Sequence, residues 1–227
     1  MVVCVDAKGH QTEGAGEFAG LFYAKSNKVI AKWLEDNGYL LKALPLKHSY
    51  PHCWRCKNPV IYRATDQWFC SVDKFRQNVL DAVETVKWHP LDWGKQRMQD
   101  MIKGRNDWCI SRQLWWGHRI PAYYCDDCGE IVVSRTMPSA CPKCGCTHLH
   151  QDEDVLDTWF SSALWPFATM GWPENTEEVK HWYPTSVMVT GYDIIFFWVA
   201  RMIFMALEFE HEIPFKHVFI HGLVRDS

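Results

Sequence analysis

Four cysteines in the middle of the chain have the spacing of metal ligands. Cys125 and Cys128 form one Cys-x-x-Cys pair, and after twelve intervening residues Cys141 and Cys144 form a second pair. Two thiolates separated by two residues occupy two corners of a tetrahedron, and a second pair supplies the other two. Four free thiols are the alternative, but they would leave this Cys-, Gly- and Pro-rich stretch with almost no core. The spacing therefore predicts a structural Zn²⁺ site with no open coordination position.

A third pair, Cys53 and Cys56, stands alone. One pair does not complete a tetrahedral site. His48 and His52 lie nearby in the sequence, but their spacing does not suit a metal-binding turn. Two interpretations stay open: the pair consists of ordinary thiols, or it is half of a second metal site whose partner pair lies upstream of Met1.

Residues 105–121 combine several aromatic side chains with arginines. This composition suits contacts with phosphates and bases, yet it is equally typical of the edge of an amphipathic core. Cys109 lies in this segment without a base at a meaningful spacing, so nothing marks it as a nucleophile. Together with the predicted zinc site, the segment leaves open a non-catalytic zinc ribbon that binds RNA or protein.

The C-terminal part predicts a strand, a helix and a second strand. Residues 187–189 and 218–220 are apolar runs, and residues 194–209 read as a buried helix. Apolar strands that flank a helix are typical of a parallel βαβ unit with both faces of the sheet covered. The fold class predicted is α/β, with part of a Rossmann-like parallel sheet and a small insertion at residues 122–150.

Polar and small residues stand where the two strands should end. Asp193 follows the first strand and its turn glycine, and His221 with Gly222 follows the second. The carboxyl ends of parallel strands are where open α/β sheets place ligand-binding groups. A helix N-cap is the alternative role for Asp193. These positions predict a ligand crevice without naming its ligand.

Three further helices are expected from apolar periodicity. They cover residues 26–37 with Gly38 as the C-cap, a segment beginning at Asp73, and residues 95–103 after a break at Pro90.

Composition narrows the setting of the protein. The chain has 227 residues and a net charge of −3, so no global basic field indicates nucleic acid, although a local patch would suffice. No signal peptide precedes the cysteines, which favours a reducing, cytoplasmic environment. The most apolar stretch, residues 194–207, is interrupted by Arg201 and is too short to span a bilayer.

Several of these segments resemble class I aminoacyl-tRNA synthetases of the valyl and isoleucyl group. The resemblance rests on residues 107–113, 154–162, 190–201 and 221–226, and it runs along essentially the whole chain. Residues 48–76 look isoleucyl, whereas the sequence from Leu114 onward looks valyl. A recombinant or misjoined segment, and an enzyme that blends the two types, are both compatible with this pattern.

The resemblance implies a substrate and a set of site residues. Trp159 and Trp198 would flank the aliphatic side chain of the amino acid, and Ile194 would narrow the pocket. The adenylate would bind at the strand ends, and the positions expected to contact it are Gly191, Asp193, His221 and Gly222. The reaction implied is activation of valine, or alternatively isoleucine, by ATP with Mg²⁺, followed by transfer to tRNA.

The resemblance also implies a division of the chain. Residues 1–65 would be the C-terminal tail of the editing (connective peptide) domain, with Cys53 and Cys56 in its zinc site. Residues 66–121 would belong to the catalytic domain, residues 122–150 to an inserted zinc ribbon, and residues 151–227 to a Rossmann-like catalytic segment. The ATP-binding motifs of the His-Ile-Gly-His and Lys-Met-Ser-Lys-Ser types do not occur in these 227 residues. We therefore expect the chain alone not to aminoacylate tRNA.

Overall fold

The computed structural model describes residues 3–226, and the contacts within the chain divide it between Asp66 and Gln67 into two units. Residues 1, 2 and 227, at the outer ends of the first and last predicted segments, lie outside the described residues.

In the first unit, one helix is the main regular element. A short 3₁₀ segment, Glu13–Phe18, precedes α1, Tyr23–Asp36. The predicted helix over residues 26–37 is confirmed, and it begins three residues earlier than expected. Gly38 adopts φ = +75°, a left-handed conformation that suits a glycine after a helix. Residues 39–66 form no helix or strand.

The second unit contains the remaining helices. These are α2 (Arg76–Thr85), α3 (Leu91–Lys103), α4 (Thr158–Ser162), α5 (Trp165–Ala168), α6 (Glu177–Trp182) and α7 (Ala200–Phe209). A π-helical turn, Ile195–Val199, leads directly into α7, which confirms the predicted buried helix at residues 194–209. The other two predicted helices are confirmed with shifted starts, because α2 begins after Asp73 and α3 begins immediately after Pro90.

Ten short strands complete the described part of this unit. They are β1 (Phe69–Cys70), β2 (Lys87–His89), β3 (Trp108–Cys109), β4 (Ser111–Arg112), β5 (Ala122–Cys125), β6 (Ile131–Val133), β7 (Leu149–Gln151), β8 (Val155–Leu156), β9 (Thr185–Gly191) and β10 (Phe215–His221). Strands β2, β10 and β9 form a parallel sheet in that order, and β6, β5 and β7 form an antiparallel sheet. The α/β fold class and the parallel strand–helix–strand unit are thus confirmed.

The core lies on one face of the parallel sheet. Trp88 and Val218 point toward it and are fully buried against α7, in which every residue from Ala200 to Ala206 is buried. The opposite face carries Val187 and Val189, which are 51% and 60% exposed. The expectation that both faces are covered was therefore wrong for residues 3–226, because the helices of this unit pack on one side only.

No helix among the described residues is both long and apolar enough to cross a bilayer.

Candidate functional site

The four predicted zinc ligands come together in the small antiparallel sheet. The Sγ atoms of Cys125 and Cys144 lie 3.5 Å apart, and those of Cys128 and Cys141 lie 3.7 Å apart. All four sulfur atoms lie within 4.8 Å of one another. Tetrahedral Zn²⁺ with bonds of about 2.3 Å separates its sulfur ligands by about 3.8 Å. The donor set and its spacing therefore fit one structural zinc ion.

Backbone hydrogen bonds shape each half of this cluster in the same way. In the first half, the Cys125 amide donates to Glu130 O (2.9 Å), and the Gly129 amide donates to Cys125 O (3.0 Å). The residue after the second cysteine, Gly129, adopts φ = +68°. A backbone hydrogen bond from the Cys128 amide is the largest of the effects that lower the pKa of the Cys125 thiol to about 6. The turn therefore favours the thiolate form of Cys125, which is the form that binds metal ions.

The second half repeats the same pattern. The Cys141 amide donates to Cys146 O (2.7 Å), and the Gly145 amide donates to Cys141 O (2.9 Å). Gly145 adopts φ = +76°. Both turns thus place a left-handed glycine directly after the second cysteine, where a side chain would be strained.

The isolated pair in the first unit has the same backbone geometry. The Cys53 amide donates to Asn58 O (2.8 Å), and the Lys57 amide donates to Cys53 O (2.8 Å). Lys57 occupies the left-handed position with φ = +62°, although it is not a glycine. The backbone hydrogen bond from Cys56 is the largest of the effects that lower the pKa of Cys53. Among residues 3–226, no third metal-ligand atom joins this pair.

The strand-end residues meet at one edge of the parallel sheet. Gly191 and His221 are paired in register at the ends of β9 and β10, and the Tyr192 amide donates to His221 O (3.0 Å). A Cβ atom at Gly191 would lie 2.6 Å from Asp193 Oδ1 and 3.6 Å from His221 Cε1. Asp193 and His221 are exposed, and the His221 ring contacts Gly222 O at 2.7 Å. The absence of a side chain at Gly191 therefore leaves room beside an exposed carboxylate and an imidazole.

Asp193 does not cap the following helix. Ile194 is the N-cap residue of the π-helical turn, and no side-chain cap is formed there. The Asp193 carboxylate therefore does not serve as the helix N-cap, and its contact with a ligand stays a prediction.

Trp159 and Trp198 lie on facing elements. Trp159, on α4, stacks on Phe197 with ring centroids 5.9 Å apart, and Trp198 donates from Nε1 to Ser162 O at the end of α4 (3.0 Å). Ile194 is half-buried one turn before Trp198, whose amide donates to its carbonyl (2.8 Å). The structure thus brings the turn after β9 and helix α4 together, with both indoles half-buried.

A buried carboxylate that the sequence analysis missed joins these elements. Asp157 Oδ2 accepts hydrogen bonds from Trp108 Nε1 (2.9 Å) and Arg201 Nη1 (3.2 Å), and it lies 3.1 Å from Arg112 Nη2. Asp157 is also the N-cap of α4 and accepts from the Trp159 amide. Because Arg201 lies on α7, this carboxylate ties the helix that carries Trp159 to the helix that continues from Trp198.

A signal in the sequence indicates this ion pair. Arg201 is the only charged residue in the apolar stretch at residues 194–207, and it is 3% exposed. A buried charge requires an opposite partner. Burial lowers the pKa of the Arg201 guanidinium, and Asp157 opposes that effect.

A second buried aspartate links the small antiparallel sheet to the rest of its unit. Asp152 Oδ2 accepts from Trp68 Nε1 and from the Tyr124 hydroxyl, each at 2.7 Å, and Arg119 donates to its carbonyl (2.9 Å). Burial raises the pKa of Asp152, but the hydrogen bonds from Trp68, Tyr124 and the Asp154 amide, together with the charge of Arg119, leave the pKa below its usual value. Burial and the bond to Asp152 raise the pKa of Tyr124 to about 12.

The basic and aromatic segment, residues 105–121, splits into two environments. Arg105 is 9% exposed and packs on the Phe196 ring at 3.8 Å. Trp115 and Trp116 are almost fully exposed. The segment therefore combines a core edge at Arg105 with an exposed loop at Trp115 and Trp116, and contact of this loop with phosphates or bases stays a prediction.

Comparison with known proteins identifies relatives along the whole chain. A family profile described as tRNA synthetases class I (I, L, M and V) matches residues 25–142 and 134–227. The valine--tRNA ligase of Carboxydothermus hydrogenoformans is 53% identical over 100% of this chain and 26% of its own length. That of Thermotoga maritima is 50% identical over 100% of this chain and 26% of its own length. The chain thus spans about a quarter of the length of these curated relatives.

A solved structure is similar in fold. Methionyl-tRNA synthetase of Mycobacterium tuberculosis, bound by methionyl-adenylate, aligns with a TM-score of 0.50 and 17% identity over 78% of this chain and 30% of its own. The alignments with valine--tRNA ligases cover both halves of the chain, including the half whose motifs resemble the isoleucyl type.

Proposed function

The chain belongs to the class I tRNA synthetases of the I, L, M and V group, and we propose that it is the part of a valine--tRNA ligase that holds valine and its adenylate. The observation that carries the proposal is the similarity to valine--tRNA ligases, at about half identity from one end of the chain to the other. The geometry of the strand ends supports it, since the expected ligand-binding groups lie together there.

In this proposal Trp159 and Trp198 form the walls of the amino-acid pocket, and Ile194 narrows it. An apolar pocket of this type separates substrates by size, and one methylene group contributes about 1–3 kcal/mol. Isoleucine is one methylene larger than valine. The distance between Trp159 and Trp198 would therefore determine how well the pocket discriminates valine from isoleucine. The hydrogen bond from Trp198 Nε1 to Ser162 O holds one wall against α4.

The adenylate would lie over Gly191 and Gly222, with Asp193 and His221 beside it. A valine carboxylate oxygen attacks the α-phosphorus of ATP, the bond to the β-phosphate oxygen breaks, and pyrophosphate leaves, with Mg²⁺ accompanying the nucleotide. The terminal ribose hydroxyl of tRNA then attacks the carbonyl carbon, and AMP leaves. The residues of this chain orient the reactants and place charge beside them, which is how such sites lower the barrier.

The remaining segments take supporting roles. We propose that residues 122–150 are a zinc ribbon, that residues 1–65 are the tail of the editing domain, and that residues 66–121 and 151–227 belong to the catalytic domain. The shared backbone geometry of the three Cys-x-x-Cys turns supports a metal-binding role for Cys53 and Cys56 as well. Thiolate ligands persist in a reducing compartment, so we place the protein in the cytoplasm.

A chimeric enzyme tests the proposal. The matching quarter of the Carboxydothermus enzyme is replaced by these 227 residues, and ATP–pyrophosphate exchange is measured with valine and with isoleucine. We expect exchange with valine and a KM for isoleucine higher by about tenfold or more. Trp198→Ala should raise the KM for valine, whereas the matched control Trp182→Ala, at an exposed position on α6, should leave it unchanged.

Other outcomes favour the alternatives. A chimera that prefers isoleucine would assign the pocket to the other amino acid. A well-folded chimera that activates neither, but binds RNA through residues 105–121, would support the non-catalytic zinc-ribbon module. We expect the 227 residues alone to catalyse no exchange, because the relatives that carry the activity are about four times longer.

A further inference from the structure

A second cluster of metal-ligand types lies beside the four cysteines. Ligand atoms of Asp127, Cys146 and His148 all lie within 4.8 Å of one another. None of these residues belongs to the tetrahedral cluster described above. The three supply one carboxylate oxygen, one sulfur and one imidazole nitrogen.

The backbone of the ribbon holds these three residues in place. The carbonyl of Cys146 accepts the hydrogen bond from the Cys141 amide (2.7 Å) that closes the second metal-binding turn. The His148 amide donates to Cys146 Sγ (3.2 Å), and the Asp126 amide donates to His148 O (3.1 Å), which fixes the strand next to Asp127. The cluster is therefore positioned by the same turns as the four-cysteine site.

The cluster is open to solvent and chemically mixed. Asp127 and His148 are exposed, and Cys146 is half-buried. Zinc sites accept sulfur, imidazole nitrogen and carboxylate oxygen, and three protein ligands leave the fourth position of the tetrahedron open. The four-cysteine cluster, in contrast, offers sulfur only and closes the tetrahedron.

We propose that Asp127, Cys146 and His148 bind a second transition-metal ion of the Zn²⁺ type, held more weakly than the first. With three protein ligands and open access to solvent, this ion exchanges readily and keeps one position for water or another ligand. The proposal does not depend on the amino acid that the protein activates.

Metal titration of the chain itself tests the proposal. The protein carries Cys53→Ser and Cys56→Ser, which removes the third thiol pair, and it is titrated with Zn²⁺ and examined by NMR with ¹¹³Cd²⁺ in place of zinc. We expect a tightly bound equivalent with a four-sulfur signal and a second, weaker equivalent at lower chemical shift. The variant D127N/C146S/H148Q should lose only the second.

A matched control removes the same residue types from the same ribbon. Asp126 and His150 form an exposed ion pair at 2.6 Å, and D126N/H150Q should keep both equivalents. The proposal is overturned if only one equivalent binds at excess metal, or if the second survives in D127N/C146S/H148Q. It is also overturned if C144S retains a four-sulfur signal that C144S/C146S loses. Cys146 would then replace Cys144 as a ligand of the four-cysteine site.

Discussion

The four-cysteine cluster and the strand-end crevice are built in opposite ways. In the cluster, each pair of cysteines comes from one turn of six residues, and hydrogen bonds within that turn fix its shape. In the crevice, Gly191 and His221 are brought together by a sheet, and Trp159 is held near Trp198 because Asp157, the N-cap of α4, pairs with Arg201 on α7. Local geometry thus determines the first site, whereas tertiary packing determines the second.

Removal of zinc should produce the largest difference in amide-exchange protection between the two regions. Structural Zn²⁺ binds thiolate sites with an apparent free energy of about 10–16 kcal/mol, and this ribbon has few buried apolar residues to replace it. We expect chelation, or Cys125→Ser, to abolish amide-exchange protection in β5, β6 and β7 while β9 and β10 stay protected. Cys109→Ser serves as the control because Cys109 lies outside the cluster. Equal loss of protection in both sheets would mean that the crevice also depends on the metal.

The buried carboxylate offers the strongest test on the side of the crevice. Asp157→Ala leaves Arg201 buried without its partner and removes the cap of α4. Breaking a buried ion pair by removing one partner costs about 3–5 kcal/mol. Urea unfolding should show that loss in the free energy of unfolding. The neighbouring exposed Glu153→Ala should change it by about 0.5 kcal/mol or less.

The contrast explains what the sequence predicted. The cysteine spacing alone identified the four cysteines that come together in one cluster, because both turns are local. The strand, helix and strand of residues 186–227 were also predicted, since apolar runs and a buried helix leave a clear pattern. The roles of Asp157 and Asp152 were missed, because their partners Arg201 and Trp68 are 44 and 84 residues away.

The exposed face of the parallel sheet was also missed. Apolar runs such as residues 187–189 are typical of strands covered on both sides, and the sequence does not say which segment covers each side. The left-handed backbone at Lys57 was not predicted either. The residue after the second cysteine is a glycine in the other two turns, and a lysine at that position does not indicate a left-handed conformation.

A single added carbon should test the crevice without disturbing the fold. Gly191→Ala places a Cβ 2.6 Å from Asp193 Oδ1, and the exposed carboxylate has room to move away. The free energy of unfolding should therefore change by about 0.5 kcal/mol or less. In the chimeric enzyme, loss of a hydrogen bond to a charged group should weaken inhibition by a non-hydrolysable valyl-adenylate by about tenfold. Unchanged inhibition would show that Asp193 does not face the adenylate.

The smallest expected effect compares the three cysteine turns directly. A non-glycine residue in the left-handed region costs about 1–2 kcal/mol, and glycine loses about 0.5–1 kcal/mol in chain entropy. Lys57→Gly should therefore stabilise the Cys53 turn by about 0.5–1 kcal/mol, seen as roughly two- to fivefold slower exchange of the Cys53 and Lys57 amides. Lys42→Gly, at an exposed position without regular structure, should give no such gain. Faster exchange in Lys57→Gly would mean that the bond from Lys57 Nζ to Trp54 O (2.6 Å) stabilises the turn more than the backbone strain opposes it.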